Sequence, residues 1–129
     1  VEKFHKTTII EQVGFNLVKL IENGEMYSEE MTSLLQQYLT PMIQANIDYL
    51  VLGCSHYPYL IPQIKKILPP NVKIIDSGQA VAKQTLKVLE DKIGLNNELK
   101  SSNIFYTNSN PKVLQNILQN KYVVTQKDF

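Results

Sequence analysis

The sequence predicts an α/β protein: a parallel sheet with flanking helices. Three observations lead there. Short apolar runs rich in β-branched residues alternate with longer stretches whose apolar side chains recur every three or four positions. The length, 129 residues, suits one compact domain with a real core. Hydrophobic residues make up 43% and charged residues 19%, which is globular composition and not that of a disordered chain.

Thr7-Thr8-Ile9-Ile10 is β-branched and reads as a short strand. Gly14 to Ile21 is apolar but mixed, and fits either a strand running into a loop or a helical turn; Asn23-Gly24 then breaks the chain. Ser28 to Ala45 predicts a helix. Ser28 can cap it, and Glu29 and Glu30 stand in the first turn, where the helix dipole favours anions. Met31, Leu34, Leu35, Tyr38, Leu39 and Met42 follow helical spacing and read as core packing, while Pro41 should kink or divide the helix near its end.

Tyr49 to Gly53 is a continuous apolar run, as in a strand covered on both faces. A helix to about Leu68 follows, with Pro58 and Pro62 limiting where its first turn begins. Val72 to Ile75 is a second strand. A helix from about Gln79 to Ile93 comes next, with Gly94 placed to end it. Asn96 to Asn103 is a polar loop and the best internal boundary. Ile104 to Thr107 is a third strand, Asn110-Pro111 opens a last amphipathic helix, and Tyr122-Val123-Val124 reads as a terminal strand. Strand and helix alternate throughout, which argues for one parallel sheet with right-handed crossovers.

Charge and cysteine content narrow the function. The 13 basic and 12 acidic side chains leave a net +1, with no electrostatic footprint for nucleic acid or an acidic membrane. One cysteine excludes an internal disulfide, and one Cys with two His is too few for a zinc site. No apolar run approaches the ~20 residues of a membrane helix, and no signal peptide opens the chain. The expectation is a soluble, cytoplasmic domain that binds neither nucleic acid nor membrane. The chain opens on Val1 and not Met, in what reads as mid-element sequence, so it is expected to be the C-terminal part of something longer.

Ligands of open α/β sheets bind beyond the carboxyl ends of the strands. Two such ends are chemically loaded: Gly53-Cys54-Ser55-His56 and Asp76-Ser77-Gly78. Cys54 leaves a strand just before a helix, whose positive end favours thiolate over thiol. Gly53 permits close approach to the backbone, Ser55 offers a hydroxyl, and His56 can hold or donate a proton near neutral pH. The opposing reading is a buried, inert cysteine beside a histidine in a turn, and residue type alone favours it. Asp76 or Ser77 is most simply a helix cap. Glu22 is an ordinary loop acid by spacing, and His5 is solvated surface. A Cys–His hydrolase would need a base oriented from elsewhere in the fold, and His5 is the only other histidine.

The run Leu52-Gly53-Cys54-Ser55-His56-Tyr57-Pro58 resembles the second active-site motif of glutamate racemases. Leu20-Ile21-Glu22-Asn23-Gly24-Glu25 resembles the acidic segment upstream of it, and Ile74 to Ala82 resembles the segment after the next strand. The resemblance implies a part of the two-domain aspartate/glutamate racemase-like fold. Residues 1–77 would belong to the domain carrying the second catalytic cysteine, and 78–129 would return to complete the other, exposing apolar surface without it. It also implies cofactor-independent interconversion of L- and D-glutamate by two thiols, which supplies D-glutamate for peptidoglycan. Cys54 would be one of those thiols, assisted by His56, with Glu22 as the acidic auxiliary and Ser55, Cys54 and His56 binding substrate. The other cysteine belongs to the family's N-terminal half, the implied partner, without which this chain would be inactive. The family relationship also allows a homodimer. Two alternatives stay open: a related cofactor-free racemase or isomerase of another small acid, and a non-catalytic α/β domain on the same scaffold.

Overall fold

The computed structural model describes residues 7–95 and 102–129; His5 and most of the polar loop at 96–103 lie outside them. Helix α1 spans Leu17–Glu22 and α2 Glu29–Gln44. Strand β1, Tyr49–Val51, is followed by a 3-10 turn at Tyr57–Leu60 that runs into α3, Ile61–Ile67. Strand β2 is Lys73–Ile75 and α4 is Gly78–Lys92. Strand β3, Phe105–Thr107, helix α5, Pro111–Ile117, and strand β4, Val124–Gln126, complete the order.

The strands pair in parallel, as alternation predicts, but as two sheets and not one. β1 pairs with β2, Leu50 opposite Ile74, and β3 with β4, Tyr106 opposite Thr125. Each pair is a strand–helix–strand unit. Thr7–Ile10 forms no strand: it is exposed and pairs with nothing among the described residues, so its β-branched side chains have no sheet to join. The mixed stretch before Glu22 resolves as a helix. The terminal strand lies at Val124–Gln126, two residues later than its apolar run suggests, because the register with β3 sets its bounds.

Local chemistry explains the helices. Ser28 Oγ accepts the Met31 amide at 3.1 Å, a cap whose loss costs about 1 kcal/mol. Pro41 does not divide α2, which continues to Gln44; the proline removes only one donor close to the end, where the remaining turn is held by its neighbours. Asn23-Gly24 closes α1. Gly24, at φ +78°, takes the left-handed position that ends a helix, its amide reaching the Ile21 carbonyl and that of Glu25 the Leu20 carbonyl. Asp76 caps α4 by accepting the Gly78 amide at 2.9 Å, while Ser77 makes no side-chain cap. Asn110 caps α5 in the same way through Lys112.

One core lies between α1, α2, α3 and the inner face of the first sheet. Ile21, Met31 and Leu60 are fully enclosed, with Leu17, Leu20, Leu35, Leu39, Leu50, Leu52, Ile64 and Leu68 around them. Gln63 is buried among them and is satisfied by donating to the Met26 carbonyl. β1 is not covered on both faces: Leu50 points inward, but Tyr49 and Val51 are 53% and 67% exposed. The apolar run therefore describes a strand with one face still open. From Gly78 onward Val124 is the only buried hydrophobic residue among the described residues, and α4 buries nothing. Apolar side chains of this part are exposed as expected, Val81, Ile93, Ile104 and Val123 among them. No described helix is long and apolar enough to cross a membrane.

Candidate active site

The carboxyl end of β1 delivers the thiol. Leu52 extends the ladder by donating to the Ile75 carbonyl at 2.8 Å, and the chain then turns through Gly53 and Cys54. The turn is closed by the Tyr57 amide on the Cys54 carbonyl at 3.1 Å, which starts the 3-10 turn. Apart from its chain neighbours, nothing lies within 4 Å of where a Cβ at Gly53 would stand, so the backbone there is open to close approach. Cys54 is half-buried and unpaired, not the sealed core residue that its type alone favours.

The loop and α1 assemble a line of three groups. His56 Nε2 lies 3.1 Å from Glu22 Oε1. Its other nitrogen, Nδ1, lies 3.8 Å from Cys54 Sγ and 3.5 Å from Ser55 Oγ. With Nε2–H donating to the carboxylate, Nδ1 is left with a lone pair facing the thiol. Such an imidazole can accept the thiol proton, and the carboxylate stabilises the cation that results. Glu22 is 34 residues from His56 in sequence; it stands at the end of α1, which Asn23-Gly24 closes, and meets the imidazole there. Glu22 and His56 are both substantially solvated, so the pair is worth little to stability.

Glu22 and His56 share a cleft of about 370 Å³ with Tyr59 and the Thr107–Asn110 loop. Cys54 is not on its lining; His56 connects the cleft wall to the sulfur. The strand-end rule that singles out Cys54 applies equally to β3, whose carboxyl end carries Asn108-Ser109-Asn110, of which the sequence singles out only Asn110, as the start of a helix. A second hollow of about 80 Å³ is apolar and includes neither Cys54 nor His56. Asp76 and Ser77 take no part in the site and serve α4. Among the described residues no group of three or more His, Cys, Asp or Glu side chains gathers into a metal site.

Tyr57 was missed as a contributor. Its hydroxyl donates to the Gly14 carbonyl at 3.4 Å. Burial holds its phenol above the ordinary value of 10.0, and the Cys54 sulfur pushes the same way. The neutral phenol is thus favoured in the fold, and its contribution to stability is present below that ordinary value and lost as pH rises through the raised one. Thermal unfolding of the chain should fall off above pH 10.0, and the Tyr57→Phe variant should show a shallower decline.

No family model matches the sequence. The glutamate racemase of Aliarcobacter butzleri (strain RM4018) is 36% identical over 123 residues, which is 95% of this chain and 47% of that protein. The glutamate racemase of Pseudomonas syringae pv. tomato is 42% identical over 82 residues, 64% of this chain and 30% of that protein. Among solved structures, a glutamate racemase isoform from Bacillus anthracis superposes with a TM-score of 0.69 at 29% identity, covering 88% of this chain and 44% of its own. The Francisella tularensis glutamate racemase, determined in complex with D-glutamate, gives 0.69 at 27% identity with the same coverage. The chain spans about half the length of the relatives it matches. Sharing both sequence and fold with these enzymes, the chain belongs to the glutamate racemase family.

Proposed function

We propose that this chain is the C-terminal half of a cofactor-independent glutamate racemase and that Cys54 is one of its two proton-transferring thiols. The observation that carries the reading is the Glu22–His56–Cys54 line, drawn from two separate segments that resemble the family's motifs. The Cα–H of an amino acid is a very weak acid, so its removal needs an activated base and stabilisation of the developing charge. Cys54 as thiolate takes that proton on one face, forming S–H and leaving the electron pair on Cα. A thiol of the other half returns a proton to the opposite face. His56 receives the Cys54 proton before substrate is attacked, Glu22 orients and stabilises the imidazolium, and Ser55 contributes a hydroxyl to substrate binding.

On this reading residues 1–77 form the domain that carries Cys54, and 78–129 pack with the other half, whose surface would cover the bare apolar side chains after Gly78. Glutamate is the substrate and the remaining polypeptide the obligatory partner; the family relationship also allows a homodimer. The setting is the cytoplasm, where D-glutamate enters peptidoglycan synthesis.

The test is solvent exchange followed by proton NMR in deuterated buffer. Restored to the length of its relatives, the protein should exchange the Cα hydrogen of L- and D-glutamate, and the 129-residue chain alone should not. Exchange on aspartate or a hydroxy acid instead of glutamate would transfer the reading to a related acid. A folded, full-length protein that exchanges none of them would make this a non-catalytic α/β domain.

A further inference from the structure

We propose that Tyr38 and Tyr57 are positioning residues, which together hold the Gly14–Phe15 segment and so set α1 where Glu22 reaches His56. This rests on the roles given above to Glu22, His56 and Cys54. α1 has six residues, too few to be stable in isolation. It starts at Asn16 in a left-handed conformation, φ 65°, with no side-chain cap. Its leading end is instead held from outside by two phenols. Tyr38, on α2, donates to the Phe15 carbonyl at 3.1 Å, and Tyr57 donates to the Gly14 carbonyl at 3.4 Å.

These contacts bridge 23 and 43 residues of sequence, so neither belongs to a local turn. The fit is tight: a Cβ on Gly14 would stand 2.6 Å from the Tyr57 hydroxyl oxygen and 2.7 Å from Leu17 Cδ1. Glu22 leaves the far end of the same helix, where the dipole opposes a carboxylate. The helix therefore gives Glu22 no reason to be there, and the imidazole does. Tyr57 also closes the turn that holds Cys54, so one residue touches both the loop with the thiol and the segment leading to the acid. Without the two hydroxyls the helix is still anchored by Leu17, Leu20 and Ile21, but its leading end loses two fixed points, and a shift of about 1 Å takes a 3.1 Å contact out of hydrogen-bonding range.

The experiment measures alkylation of Cys54 by iodoacetamide in the 129-residue chain, across pH, by mass; Cys54 is the only cysteine, so each addition reports one site. Glu22→Gln should slow the reaction near neutral pH by about threefold, the scale of an exposed ion pair, and leave the rate unchanged at high pH, where the thiol is ionised without help. Tyr38→Phe and Tyr57→Phe keep their rings, and each should slow it by about twofold with the same high-pH limit. The deciding measurement is the double variant: Tyr38→Phe should have no further effect once Glu22 is glutamine. A Tyr38→Phe effect that is absent, or equal in both backgrounds, overturns the proposal while leaving the role of Glu22 intact. A silent Glu22→Gln overturns the role of Glu22 and this proposal with it.

Discussion

On the proposed function, glutamate Cα exchange in the protein restored to the length of its relatives should fall by about 10²–10⁴-fold or more when Cys54 is replaced by alanine. The scale follows from what is removed. A positioned base contributes that much to proton transfer, and no neighbour can take its place. On the proposed reading His56, 3.8 Å from the sulfur, serves the thiol and not the substrate, and Ser55 offers only a hydroxyl, whose conjugate base is far harder to form than a thiolate. Folding should be untouched, because Cys54 is half-buried and its side chain supports no element of the core. Denaturation midpoints of wild type and variant should therefore coincide while their exchange rates separate. An alanine variant that exchanges at the wild-type rate would remove Cys54 from the mechanism.

Ile21→Ala should cost about 2–5 kcal/mol of stability, the range for deleting a large buried aliphatic side chain. Ile21 is 0% exposed and sits where α1 meets the core. A domain of this kind holds only ~5–15 kcal/mol in all, so the variant should shift the urea midpoint strongly or fail to fold at all. The effect reaches the chemistry as well. Ile21 precedes Glu22, and α1 is kept in place by Leu17, Leu20 and Ile21 more than by its own six residues. The folded fraction of the variant should therefore alkylate Cys54 more slowly near neutral pH. A loss below about 1 kcal/mol would mean that the core closes around the vacancy and that α1 is held by something else.

How far the sequence disclosed this arrangement depended on the range of the interactions. α2 was readable because its determinants are local: a serine cap, two acids in the first turn and an apolar stripe. The Cys54 loop was readable because a strand end is a local event with a general consequence for ligands. Glu22 was not, by spacing alone, since its partner lies 34 residues on and only the packing of α1 brings them together. Tyr57 and Gly14 escaped for the same reason, at 43 residues' separation. The two-sheet division and the open face of β1 are matters of what packs on what, and an apolar run records only that a face is suited to burial. Thr7–Ile10 makes the converse point: strand propensity without a neighbour yields no strand.

α4 carries fifteen residues and encloses none of them. A peptide of that length hovers near the midpoint between coil and helix in water, and most helices in proteins persist because one stripe is pressed against something. Val81, Val88 and Leu89 form such a stripe by spacing, and it is bare. The segment should behave like half a zipper, loosening when solitary and winding tight in company. Amide exchange along it then becomes a gauge of whether the molecule has been completed, independent of any chemistry at the sulfur.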